Sequence, residues 1–194
     1  FFDTLDFVLS GNQTTWANPS WATLFMRKLV ENIEFRNKFI NRYADEMNTR
    51  YLPTNVISHF TDIYENMYDE MENHIERWSE SEPWVSEESV YQFVDNMNNF
   101  AANRQPEAKY HILNQFDLDS YHEVVLFNET PQLGYIYLNN NLTIQEDEWS
   151  GDYFEDVPIT LKAIAESGSE FSHWSGDVNS TEFEIEVDIT DNFE

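Results

Sequence analysis

The chain has no cysteine, five glycines and ten Lys or Arg in 194 residues, and each shortage removes a class of function. Without cysteine there is no disulfide, no Cys-ligated zinc and no thiol nucleophile. So few glycines leave little material for a phosphate-cradling loop. Neither Gly-x-x-x-x-Gly-Lys-Ser/Thr, Gly-x-Gly-x-x-Gly nor Gly-x-Ser-x-Gly occurs. The ten basic residues face 37 acidic ones, for a formal net charge of −27. Such a charge repels a phosphate backbone and argues against a nucleic-acid partner. No apolar run reaches the roughly eighteen residues of a membrane span, so none is expected. The chain opens Phe1-Phe2-Asp3 without an initiator Met or a signal peptide, and closes on Asn192-Phe193-Glu194 after a strand-like run. Both ends read as cut from a longer protein.

What is present is a packable, unevenly charged chain. Hydrophobic residues make up 41% and aromatics 16%, enough for a core. Residues 1–118 carry nine basic and 19 acidic residues, hence −10; residues 119–194 carry one, Lys162, and 18, hence −17. That break predicts a boundary near residue 118, with a helical segment over 1–118 and a small acidic β domain over 119–194. The acidity reads first as a solvated, solubilising surface and second as a site for divalent cations.

From residue 18 to 116 the apolar period is helical. Asn18-Pro19 is a helix start, with Trp21, Leu24, Phe25 and Leu29 on one face. Asn32 can cap a second helix bearing Phe35, Phe39, Tyr43 and Met47, and Thr54 a long third one after Leu52-Pro53. The stripe of that third helix runs from Val56 through Phe60, Ile63, Met67, Met71 and Ile75 to Trp78, which predicts Trp78 as a buried anchor. Ser86 with Glu87 and Glu88 starts a fourth helix, and Pro106 a short last one. Beyond Leu118 come strand-like runs at 123–127, 134–138, 157–165, 170–174 and 181–189. The expected fold is therefore α+β, a helical segment followed by a small antiparallel β-sandwich-like domain.

Chemistry is harder to find. His59, His74, His111, His122 and His173 show no metal-ligand spacing, and His74 reads as half-buried and structural. The acids Glu146, Asp147, Glu148 and Asp152, with Glu155-Asp156, are the metal candidates, and calcium is the ion such an oxygen-rich loop would take. Their spacing matches no EF-hand, and a solvated turn is the plainer reading. The aromatics Trp149, Tyr153, Phe154, Phe171 and Trp174 offer material for a carbohydrate platform or, more simply, for core.

The stretch Asn18-Pro19-Ser20-Trp21-Ala22-Thr23-Leu24-Phe25-Met26-Arg27-Lys28-Leu29 resembles the CotH family of atypical, spore-coat-type protein kinases. So does the following run from Glu31-Asn32-Ile33-Glu34-Phe35 to Arg42-Tyr43-Ala44-Asp45. Glu70-Met71, His74-Ile75-Glu76-Arg77-Trp78, Phe100-Ala101, Arg104 and Phe116-Asp117-Leu118 agree in order. Residues 134–189, with Gly134-Tyr135 and Phe171-Ser172-His173-Trp174-Ser175-Gly176, are similar to β repeats of bacterial surface proteins. The first resemblance implies the helical portion of a kinase C-lobe. ATP and magnesium would be bound by the upstream N-terminal half of the same protein, before Phe1. Neither Asp3 nor Asp6 matches the metal-binding motif, so no catalytic or cofactor residue is carried over.

Three readings follow. In the first, the chain is a C-terminal fragment of a CotH-like kinase, inactive alone, whose parent transfers the ATP γ-phosphate to Ser or Thr of a coat or surface protein. In the second it belongs to a non-catalytic adhesion protein with a kinase-like scaffold, and in the third it is a calcium- or glycan-binding surface module. All three imply a protein or surface partner and a secreted or cell-surface location in a bacterium.

Overall fold

The computed structural model describes residues 2–10 and 19–193. Its helices are α1 (Thr4–Leu9), α2 (Leu24–Leu29), α3 (Ile33–Met47), α4 (Pro53–Trp78) and α5 (Glu87–Phe116). Its strands are β1 (Tyr121–Phe127), β2 (Gly134–Leu138), β3 (Leu142–Ile144), β4 (Glu148–Phe154), β5 (Ile159–Ala165) and β6 (Glu184–Val187). The fold class is α+β.

Local chemistry sets the helix ends. Asp3 caps α1, its carboxylate accepting the N–H groups of Leu5 and Asp6. Asn32 caps α3 as the sequence indicates, accepting from Phe35 N–H at 2.9 Å. Pro53 takes the first turn of α4, where its missing N–H costs nothing, so Thr54 is not the cap. Pro19 opens no helix, because residues 20–23 form a turn and α2 starts at Leu24. Asn18 lies outside the described residues. Pro106 sits inside α5 instead of opening a helix of its own. One lost backbone hydrogen bond, a penalty of about 3 kcal/mol, is borne by a helix of 30 residues. Ser86 and Ser89 bond reciprocally at the start of α5. Asp117, at φ 54°, reverses the chain after it, and Leu118 N–H donates to Leu113 C=O at 3.0 Å.

Two antiparallel sheets form, β1–β4 and β3–β2–β5–β6. Strand β2 has the expected bounds, and β1, β5 and β6 fall within or beside the expected runs. The run 170–174 forms only an isolated bridge, Trp174 to Ser180. Strand β4 occupies the stretch read as an acidic turn.

The chain packs as two compact units. One is Thr49–Lys109; the other joins Phe2–Asn48 to the described residues from Tyr110 onward. In the second unit Leu5, Ile40, Ala44 and Ile112 share one apolar core with Val124, Leu138, Tyr153, Ile159, Leu161 and Ile189. In the first unit no residue of α4 is buried, and Trp78 is 42% exposed with the Arg77 guanidinium 5.2 Å from its ring centre. Trp78 is not the buried anchor expected, and His74 is exposed.

Candidate functional site

The most developed polar constellation lies where α3 meets the strands of the second unit. The buried face of α3 is Ile40, Asn41, Ala44 and Asp45, continued by Asn48 just past its end. The stripe Phe35, Phe39, Tyr43 and Met47 is only half-buried and flanks it. Asp45 is fully enclosed. Its Oδ1 accepts from Tyr153 Oη at 2.7 Å and Asn139 Nδ2 at 3.0 Å, and its Oδ2 from Asn141 Nδ2 at 2.7 Å. Asn139 and Asn140 hold positive φ (54° and 53°) in the β2–β3 turn, a conformation asparagine tolerates. Loss of water pushes the Asp45 carboxyl above its ordinary range, against the three hydrogen bonds and nearby Arg42. Burial, then the Asp45 charge, pushes the Tyr153 phenol well up.

Asn48 grips β4 through both backbone polar groups of one residue, Asp152. Its Nδ2 donates to Asp152 C=O at 2.9 Å and its Oδ1 accepts Asp152 N–H at 3.1 Å. Asn41 Nδ2 donates to Pro158 C=O at 2.8 Å. Three polar side chains at helical spacing thus dock α3 and its end onto five partner residues, Asn139, Asn141, Asp152, Tyr153 and Pro158. The arrangement holds distant stretches of the chain in register. It presents no exposed nucleophile, and it was missed from sequence because the i, i+4, i+7 spacing of Asn41, Asp45 and Asn48 reads as a solvated face.

The metal candidates are dispersed. Glu146 lies before β4, accepting Gln145 N–H on Oε2, and Glu148 and Asp152 lie within β4. Among the described residues no group of three or more His, Asp or Glu gathers where it could hold a metal ion. The histidines separate likewise. His111 is buried, with Nδ1 3.7 Å from Asp3 Oδ1. His122 Nε2 lies 2.9 Å from Ser120 Oγ and 3.5 Å from Glu155 Oε2. Ser120 also donates to Glu155, so its single proton points at a carboxylate and not at a histidine base; this is not a nucleophile–base pair. The Ser120 bond, then His122, holds Glu155 below the usual carboxylate range.

A cleft of ≈ 570 Å³ opens at the other end of the second unit. Buried Ile136 and Leu161 and half-buried Tyr135, Phe171 and Trp174 line it, with Glu129 and Glu170 exposed beside it. Of the aromatics singled out from sequence, Tyr153 and Phe154 are core, and Trp149 packs 6.2 Å from Tyr153. Phe171 and Trp174 remain together on this cleft, ring centres 5.2 Å apart.

Comparison with known proteins agrees with the first resemblance. Residues 7–107 match the family described as CotH kinase protein. No curated protein and no solved structure matches the chain. The matched stretch takes in α2, α3 and α4 whole and most of α5, and covers just over half of the sequence. On that match the chain belongs to the CotH kinase protein family.

Proposed function

We propose that this chain is the supporting, C-lobe portion of a CotH-like protein kinase, whose parent transfers the γ-phosphate of ATP to Ser or Thr of a coat or surface protein outside the bacterial cell. The observation that carries the reading is the family match over residues 7–107. Among the described residues no three His, Asp or Glu gather where they could hold magnesium. Phosphoryl transfer needs metal ligands, phosphate donors and a base converging on one point, and here the acids are scattered. In this reading, as the family resemblance implies, ATP and magnesium are bound by the N-terminal half of the parent protein. The role of this chain is mechanical, and Asp45 and Asn48 lock α3, a family-matched helix, to β4 and the β2–β3 turn.

Radiolabel transfer and calorimetric titration with Mg·ATP test this on two proteins, the present chain and one extended upstream in its own reading frame. The extended protein is expected to bind and turn over Mg·ATP, and the present chain to do neither. Stoichiometric binding or autophosphorylation by the present chain overturns the supporting role. Inactivity of both favours an adhesion protein built on a kinase-like scaffold.

A further inference from the structure

We propose that the cleft between β1, β5 and the 169–178 segment is a recognition site for a cationic side chain, Lys or Arg, of a protein partner. Its volume of ≈ 570 Å³ suits a small ligand or one or two side chains. The lining is largely apolar, with half-buried Val125, Val178 and Ile185 beside buried Ile136 and Leu161, and suits an aliphatic stem. Tyr135, Phe171 and Trp174 line the cleft half-buried, and aromatic rings are partners that hold a cation. Trp174 is fixed in place by donation from its Nε1 to Glu182 C=O at 2.9 Å.

Charge decides between occupants. Among the described residues the lining contains Glu129 and Glu170 and no Lys or Arg. The lone basic residue of 119–194, Lys162, is already committed, 2.9 Å from Glu184 and 5.6 Å from the Phe183 ring. With −17 over residues 119–194, the surrounding field repels phosphate, carboxylate and anionic lipid and draws in cations. A neutral sugar would use the rings but gain nothing from that field.

The test is calorimetric titration of the whole chain at 0.15 M salt with three probes. These are a blocked alternating alanine–lysine decapeptide, its alanine–glutamine counterpart and a neutral hexasaccharide. Saturable binding of the lysine peptide alone is expected. Glu129→Gln with Glu170→Gln should weaken it about tenfold, since two exposed ion pairs contribute about 0.7 kcal/mol each. Phe171→Leu, which keeps apolar volume and removes the ring face, should weaken it about threefold. Asp119→Asn with Asp156→Asn removes the same charge near the other end of β1 and should change affinity less than about twofold. An equal loss in both double variants means diffuse attraction and overturns the site. So does lack of saturable peptide binding, or binding of the hexasaccharide or the glutamine peptide in its place.

Discussion

Tyr153 donates its hydroxyl to Asp45 Oδ1 across 2.7 Å, with both side chains cut off from water. A carboxylate of α3 and a phenol of β4 thus satisfy each other inside an apolar core. Removing either partner strands the other. Tyr153→Phe deletes one donor to a charged acceptor and should cost about 1.5–3 kcal/mol. Asp45→Ala leaves the buried Tyr153 hydroxyl and two half-buried amides, Asn139 and Asn141, without their acceptor and should cost about 3 kcal/mol. Urea unfolding followed by far-UV circular dichroism measures both, and a loss below about 0.5 kcal/mol in either would contradict the enclosed network.

The pH dependence of this pair has a definite sign. The folded-state pKa of Asp45 is raised above the ordinary 3.8, so the folded protein holds that proton more tightly than the unfolded chain. Its stabilising contribution is complete below 3.8 and is lost as pH rises through the folded value. The stability gap between the parent and Asp45→Asn should therefore be wider in acid than at neutrality. A gap that widens from acid to neutral pH would show that hydrogen bonding outweighs desolvation at this carboxyl.

Glu155 has the opposite sign. Its pKa is lowered, first by the Ser120 hydroxyl, so its contribution is present above 4.5 and fades as pH falls through the lowered folded value. Ser120→Ala should move the Glu155 titration, followed by carboxyl-carbon NMR, back toward the ordinary range. No movement would assign the shift to His122 instead.

Gly134 and Gly151 carry no side chain because there is no room for one. A Cβ at Gly134 would lie 2.6 Å from Ile164 C=O, backbone of the paired strand β5. At Gly151 it would lie 2.5 Å from the Trp149 ring and 2.8 Å from the Asn48 amide. Gly134→Ala must push β2 and β5 apart, whereas Gly151→Ala can be relieved by side chains, at the expense of the Asn48 grip. Losses of about 1–3 kcal/mol are expected for each, with Gly134→Ala the larger. The reverse order in thermal melts would show that the Asn48 contact outweighs the strand pairing.

What the sequence made legible was whatever is written in one residue and its near neighbours. The Asn32 cap, the end of α4 at Trp78, and strand β2 with its Gly134 start all follow local rules. What stayed hidden depends on partners far along the chain. Strand β4, Glu148–Phe154, holds two acids and a glycine and reads as a turn, yet its full seven-residue pairing with β1 overrides that composition. Asp45 reads as one more surface acid until Asn139, Asn141 and Tyr153, some 94 to 108 residues away, are brought against it.

Trp78 is a case where periodicity misleads about energy. It continues the stripe of α4, but 42% of its surface stays exposed, with the Arg77 guanidinium 5.2 Å from its ring centre, so it is only partly buried. Trp78→Ala should therefore cost less than the ~3–5 kcal/mol of a fully buried core tryptophan. A loss in that range would place this ring in the core after all.

The acidity of residues 119–194 should act through diffuse repulsion and not through a bound ion. Glu148 and Asp152 are four residues apart on one strand, a separation of roughly 14 Å at about 3.4 Å per residue. Calcium holds its oxygens within about 2.6 Å, so these two cannot share an ion. Eighteen acids against one lysine repel one another instead, and salt screens them by shortening the Debye length to about 10 Å at 0.1 M. Raising ionic strength should thus raise the melting temperature, with calcium and magnesium equally effective at fixed ionic strength. Chelator should leave it unchanged. Changing Glu146→Gln, Asp147→Asn and Glu148→Gln together should leave the melting temperature level or raise it, because three like charges disappear and no ligand is lost. If chelator lowers the melting point of the parent but not of the triple variant, these acids hold calcium and the repulsion account fails.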